Sequence, residues 1–328
     1  MALSSSIVEA TLPPLSHRID ERWMMSFAAG VGDARPELID TARPSGIIAH
    51  PLFAIAIEWP SYVDLIRRLI DLGLDPDDGM TAEPFEYDLT LYRPVQVDDE
   101  VVVHMKPVGL RSRRDGGVLT VCTNTVGADG QLVSASTVRM LFRAVPVDGR
   151  EVPHRVATEA DRVIDLRSEW ANPDAVIRRG HRRVGAAAAH VFSACSGVWN
   201  PLHTDRAVAL EHGLTGVTMP QAGVLAMAVG GALQLASAEP GWVRRVRSHF
   251  GAPVPAPSTL EIEAEVPNHP TEDAPIRFRA NLDDGTPVIT SGVMVAVPAD
   301  REAAARARAR ADRRSRVGLR AMKEREPM

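Results

Sequence analysis

The stretch Phe192-Ser-Ala-Cys-Ser-Gly-Val-Trp-Asn-Pro-Leu-His203-Thr-Asp205 has a degenerate copy in the same chain. That copy, Phe27-Ala-Ala-Gly-Val-Gly-Asp-Ala-Arg-Pro-Glu-Leu38-Ile-Asp40, lies 165 positions upstream. Phe27 falls on Phe192, Gly32 on Gly197, Pro36 on Pro201 and Asp40 on Asp205. Two mismatches carry chemical information. Asp33 faces Val198, and Leu38 faces His203, so each half holds one member of an Asp/His pair. A repeat at this spacing reads as an internal duplication and marks where the chemistry should be sought.

Outward from the motif, the two halves show the same order of elements. In the first, Ile19 to Gly30 is helical, Pro51 to Trp59 is an apolar helix that Pro60 bends or interrupts, and a helical pattern resumes from Tyr62 to Leu72. Strand-like runs follow at Phe85 to Tyr92, Val101 to Val108, Leu119 to Val126 and Val133 to Phe142, with a turn at Gly127-Ala-Asp-Gly130. In the second, Asp205 caps a short helix over Arg206 to His212, and Pro220 to Leu235 is a helix apolar on every side. Strands follow at Val243 to Phe250, Leu260 to Val266, Ile276 to Leu282 and Val288 to Val297. One long buried helix against an antiparallel meander is an α+β unit, and two such units would pair as a pseudo-dimer. This gives an N-terminal repeat over residues 1–150, a linker over 151–180, a second repeat over 181–298 and a basic tail over 299–328.

Composition sets outer bounds. A chain of 328 residues suits two domains of about 150 residues each. Hydrophobic content of 45% and charged content of 24% are those of an ordinary globular protein. A net charge of -5 gives no case for nucleic-acid binding. The Ala/Arg-rich tail is the exception, and reads as a solvated or frayed tail or as a docking site for an acidic partner or phosphate. Two widely spaced cysteines, no apolar run of about 18 residues and no signal sequence lead to the expectation of a cytoplasmic protein without a membrane span. There is no metal-ligand cluster and no Gly-rich nucleotide loop, so neither a metal nor a redox cofactor is expected.

The segment Phe192 to Asp205, followed by the helix from Pro220, resembles the hydratase 2 (MaoC-like) dehydratase family. The likeness extends over both halves, roughly Pro14 to Val297, and the Pro94-Val95 and Pro253-Val254 turns add to it. The resemblance implies a double hot-dog fold and activity on acyl thioesters of coenzyme A or acyl carrier protein, in fatty-acid metabolism. The thioester would be substrate, and no cofactor is implied. In that family the motif's Gly is followed by a catalytic Asp, with a catalytic His five residues on. The two hold a water that adds to C3 of a 2-enoyl thioester, and a His-Gly pair opens the long helix. Carried over, His203 matches the catalytic His, while Val198 stands where the Asp belongs and Pro220-Gln221 where His-Gly belongs. In the first half Asp33 matches the Asp, Leu38 replaces the His and His50-Pro51 matches His-Gly.

The candidate residues follow from this. His203 can move a proton near neutral pH. Asn200 either braces its loop or holds a water, and Ser196 either closes a turn or touches substrate. Trp199 is either core or acyl-pocket wall. The backbone N–H groups of Gln221, Ala222 and Gly223 could polarise a thioester carbonyl, whereas Pro51 has no N–H to offer. Asp33 is either a turn carboxylate or reaches across the pseudo-twofold to His203. His50 is either structural or lines the pocket, and the first half could be a groove for a long acyl chain. Arg245 and Arg247, on one face of a strand, are candidates for the nucleotide phosphates. The function expected is acyl-thioester hydration or dehydration. The alternatives are an acyl-thioester-binding protein, an inactive subunit beside another hot-dog protein, and a hot-dog thioesterase. A homodimer or a hetero-oligomer fits either reading.

Overall fold

The computed structural model describes residues 2–154, 175–267 and 275–296. The basic tail and the linker residues Trp170 and Pro173 lie outside the described residues. The first repeat runs β1 (Leu3–Ser4), β2 (Leu15–Arg18), α1 (Glu21–Gly30), α2 (Pro36–Ile39), α3 (Ala54–Asp71) and α4 (Pro76–Met80). It then continues through β3 (Glu83–Leu91), β4 (Glu100–Arg113), β5 (Gly116–Gly127), β6 (Leu132–Arg143) and β7 (Val147–Asp148). The second repeat runs β8 (Ala175–Val184), α5 (Ala188–Ser196), α6 (Arg206–Glu211), β9 (Thr218–Met219) and α7 (Gln221–Ala236). It ends with β10 (Val243–Phe250), β11 (Val254–Pro255), β12 (Ser258–Pro267), β13 (Ile276–Leu282) and β14 (Pro287–Ala296).

Ten strands form one sheet in the order β2-β4-β5-β6-β3-β10-β14-β13-β12-β8. Each repeat supplies five neighbouring strands, and β3 joins β10 in an antiparallel pair at the centre. The order within one half mirrors that in the other, as a duplicated unit paired about a twofold requires. This is the double hot-dog architecture, with a long helix, α3 or α7, held against each half-sheet.

The axis of the pseudo-twofold can be read from self-contacts. Phe27 and Phe192, equivalent positions of the two motif copies, pack edge to face with ring centroids 5.8 Å apart. Gly30 and Cys195 are also equivalents, and a Cβ on Gly30 would stand 2.9 Å from that of Cys195. Helices α1 and α5 therefore cross where each meets its own copy. Asp20 fixes the start of α1 by accepting a hydrogen bond from the Trp23 amide at 2.7 Å. Helix α7 is buried at every residue from Gly223 to Leu233, as its all-round apolar sequence requires.

Several elements differ from the sequence expectation. Pro60 does not interrupt its helix: α3 is continuous, with Pro60 inside it. Residues Ala54 to Glu58 and Ser61, Leu65 and Leu69 are buried on either side of the proline, and this packing overrides the missing N–H. The edge strands β2 and β8 were not foreseen. β8 begins at Ala175, inside the stretch read as linker, and pairs with β12 from Ser258 to Pro267. Asp40 follows α2 and closes a turn by accepting from the Ala42 amide at 3.0 Å, whereas Asp205 is the N-cap of α6. Among the described residues no helix is long and apolar enough to cross a membrane.

Because Phe192 is fully buried at the axis, Phe192→Ala is expected to cost about 3–5 kcal/mol in urea unfolding. Val191→Ala, at an exposed site on the same helix, should stay within about 0.5 kcal/mol. Similar unfolding midpoints for the two would contradict the central packing.

Candidate active site

Gly197, with φ of +76°, ends α5 in the left-handed conformation that glycine adopts without strain. The buried Ser196 hydroxyl donates to the Phe192 carbonyl (2.7 Å) and accepts from the Val198 amide (3.1 Å). Ser196 thus closes the helix end. Val198, the residue after that glycine, is 3% exposed and presents a buried alkyl group. Trp199 is 57% exposed, which removes it from the core. Asn200 uses both ends of its amide: Oδ1 accepts from the Leu202 amide at 3.0 Å, and Nδ2 donates to the Met80 carbonyl at 2.9 Å. It braces the loop and ties it to the first repeat.

The single 3-10 turn Pro201–His203 then delivers His203 to strand β9. His203 Nδ1 lies 2.9 Å from the Thr218 carbonyl, with the Thr218 hydroxyl at 3.3 Å. A carbonyl only accepts, so Nδ1 carries the proton and Nε2 keeps its lone pair. β9 is itself held by β11, pairing Met219 with Val254 and Thr218 with Pro255. The Pro-Val turn singled out in the sequence is therefore what positions the carbonyl that orients the histidine. Burial lowers the His203 pKa to about 4, against the raising effect of the Thr218 bond. The imidazole is neutral near pH 7 and can accept a proton.

Two residues beyond Thr218 the chain enters α7. Its N-cap is Pro220, which offers no side-chain hydrogen bond, and the first internal bond is Val224 N–H to the Pro220 carbonyl at 3.0 Å. The N–H groups of Gln221, Ala222 and Gly223 thus have no acceptor within the helix, at its positive dipole end. The Gln221 Oε1 is buried there without a partner. In the first repeat the equivalent start is closed, because Pro51 lacks an N–H and His50 Nδ1 accepts from the Leu52 amide at 3.1 Å. The two helix starts therefore differ in the way the sequence suggested.

The structure does not bring Asp33 to His203. Asp33 Oδ1 accepts from Arg35 Nε at 2.8 Å and from the Arg35 amide at 3.3 Å, and Arg35 Nη2 binds Oδ2. His50 Nε2 lies 3.6 Å from Asp33 Oδ2. The pair rests on the second central helix at Gly230, where an added Cβ would meet Asp33 Oδ2 at 2.9 Å and His50 Nε2 at 3.7 Å. Gly230 is nine residues into α7, roughly 14 Å along the axis from Gln221. Asp33 is drawn below its ordinary pKa: burial opposes ionisation, but the Arg35 hydrogen bond and the charges of His50 and Arg35 outweigh it. His50 has a side chain with no exposure, and burial lowers its pKa to about 4 despite Asp33. Arg35 was not foreseen. The available signal was that Arg35 stands opposite Asn200 in the two motif copies.

Arg245 and Arg247 do share one face of β10, but both are engaged by carboxylates. Arg245 binds Asp88 at 2.9 and 2.7 Å, and Arg247 binds Glu86 at 3.2 and 2.8 Å. These pairs link β10 to β3 across the centre of the sheet.

Solved structures share this fold. A MaoC-like dehydratase from Phytophthora capsici superposes with a TM-score of 0.68 at 16% identity, covering 90% of this chain and 99% of its own. HtdX of Mycobacterium tuberculosis gives a TM-score of 0.62 at 18% identity, covering 87% and 100%. A conserved hypothetical protein from Mycobacterium tuberculosis, described as a double hot-dog fold, gives 0.59 at 14%, covering 88% and 96%. No protein-family model matches the chain, and no curated protein sequence matches it. The chain thus has the double hot-dog fold of MaoC-like dehydratases.

Opposite tautomers are expected for the two histidines. His203 should carry its proton on Nδ1, and His50 on Nε2, because its Nδ1 accepts from Leu52. Nitrogen-15 chemical shifts distinguish the two, and the same tautomer at both positions would contradict the geometry. Both pKa values fall from 6.5 to about 4 on folding, so the unfolded chain binds more protons between those limits. The contribution of these two groups is complete above pH 6.5 and is lost as pH falls towards 4. Glu58, whose pKa burial raises from 4.5 to about 8, gives the opposite slope. Stability therefore falls on the acid side of 6.5, where two groups outweigh one, and also as pH rises from 6.5 towards 8. A melting temperature that rises as pH falls from 6.5 towards 4 would overturn this.

Proposed function

We propose that the chain is an acyl-thioester hydratase or dehydratase in which His203 is the sole side chain that moves protons. The observation that carries this reading is the Nδ1 bond to the Thr218 carbonyl, which leaves Nε2 basic on a histidine held two residues before the N-cap of α7. In dehydration, Nε2 takes a proton from C2 of a 3-hydroxyacyl thioester. The charge that develops on the thioester oxygen is stabilised by the amides of Gln221, Ala222 and Gly223. The imidazolium then returns its proton to the C3 hydroxyl, which leaves as water, and hydration runs the same steps in reverse. Val198 offers no carboxylate and Asp33 is held by Arg35, so in this reading base and acid are one group acting in turn. Coenzyme A and acyl carrier protein are both suitable carriers, and the cytoplasm is the compartment we assign.

The buried Val198 favours a second reading, an acyl-thioester-binding protein or the inactive subunit of a hetero-oligomer. The thioesterase reading lacks its carboxylate, since Asp33 is engaged by Arg35 and lies against Gly230. Turnover separates the remaining two. With crotonyl-coenzyme A followed at the enoyl-thioester absorbance, His203→Ala should lower kcat/KM by about 10²–10⁴-fold. Asp33→Asn should leave it unchanged. Full activity in His203→Ala would refute the assignment, and tight binding without turnover in the wild type would select the second reading.

A further inference from the structure

The turn that carries His203 has little packing to hold it. None of the three residues Pro201–His203 is fully buried. Its fixed points are hydrogen bonds, and they converge on Asn200. The Asn200 carbonyl accepts from the His203 amide at 2.9 Å, and Oδ1 caps the turn at the Leu202 amide. Asn200 is fixed in turn by Nδ2, which donates to the Met80 carbonyl at 2.9 Å, 120 residues away in sequence.

Met80 is the last residue of α4, at the end of a helix where carbonyls lack partners of their own. The Asn200 amide supplies one such partner from the other repeat. Helix α4 is built to hold that carbonyl in place. Asp75 caps its start by accepting from the Asp77 amide at 2.9 Å, and Pro76 opens the first turn. Thr81 closes its end, with amide and hydroxyl both donating to the Asp77 carbonyl at 3.0 and 2.9 Å.

Gly79 explains why the helix lies where it does. Glycine inside a helix costs about 0.5–1 kcal/mol against alanine. A close neighbour accounts for it here: a Cβ would stand 2.9 Å from Ile66 Cγ2 of α3 and 3.6 Å from Leu74 Cδ2. The missing side chain lets α4 rest directly on α3, and that contact fixes the position of the Met80 carbonyl.

Among the described residues the first repeat has no matching tie. Arg35 stands where Asn200 does, but it caps no amide of α2 and binds Asp33 instead. Where α3 is followed by α4, α7 is followed only by the 3-10 turn Pro240–Trp242. The bond across the repeats thus holds the motif copy that carries the histidine.

We propose that α4 of the first repeat is a positioning element for His203, acting through the Met80 carbonyl and Asn200. The contact of α4 with α3 sets the turn, and the turn presents the ring that Thr218 holds at Nδ1. Gly79 and Met80 are positioning residues, since they act through Asn200. This inference rests on reading His203 as the group that moves protons.

The test separates position from turnover. Asn200→Ser keeps a capping hydroxyl for the turn but is too short to reach Met80. Gly79→Ala pushes α4 away from Ile66, and the nearest neighbours of the new Cβ all belong to the first repeat. In both variants the nitrogen-15 shifts of His203 should move from the single Nδ1–H form to a mixture of tautomers, while those of His50 stay as in the wild type. In crotonyl-coenzyme A hydration kcat should fall about 10–100-fold with KM unchanged. Adding Ile66→Ala to Gly79→Ala removes the atom that the new Cβ meets, and should restore both readings. Wild-type His203 shifts in either single variant overturn the inference, even if the unfolding temperature falls, because the bond then serves stability alone. A loss in Gly79→Ala that Ile66→Ala leaves in place also overturns it. A wild-type protein that does not hydrate the thioester removes the catalytic reading, and the shifts still decide whether α4 positions the ring.

Discussion

Phe27 against Phe192, with Gly30 against Cys195, is the contact on which the rest of the molecule depends. A duplicated helix meets its own copy there, and the aromatic pair and the close backbone approach fix how the halves face each other. The same axis sets β3 beside β10 and places Arg247 opposite Asp88. Residues on the axis must suit their own equivalents, while residues away from it are free to diverge. The two motif copies differ in this way at Asp33 against Val198, Leu38 against His203, and Arg35 against Asn200.

The divergence produced two different machines from one template. In the second repeat, a histidine is tethered by one nitrogen to Thr218, two residues before a helix start with no side-chain cap. In the first, His50 caps the corresponding helix and joins Asp33 and Arg35 in a buried cluster that rests on Gly230 of α7. The first site has become a strut between the halves, and breaking a buried cluster of this kind strands a charge, which is costly.

Fold and site were legible in the sequence to different degrees. The motif repeat, the apolar helix of α7 and the alternating strands of both meanders identify the architecture, because periodicity and burial are local signals. Strand β8 was not legible, since Val-Ile-Arg-Arg-Gly-His-Arg-Arg does not alternate and its position comes from pairing with β12. Pro60 looked like a break because the proline rule is local and the packing that overrides it is tertiary. His203 and the α7 amides were legible from the motif itself. The Asp33–His50–Arg35 cluster was not, because it depends on how α1 and α3 approach α7. Arg245 and Arg247 looked like free cations because their partners, Asp88 and Glu86, are about 160 residues distant in sequence.

The central claim is that one histidine serves as both base and acid, without a carboxylate partner. A pH profile of kcat/KM for enoyl-thioester hydration tests it most directly, since such profiles report the essential groups of the free enzyme. A single acid limb, set by the His203 pKa of about 4, and a plateau on the alkaline side are expected. A bell-shaped profile whose basic limb falls near 8, the range to which burial pushes Glu58, would mean a second group must stay protonated, and would contradict the account.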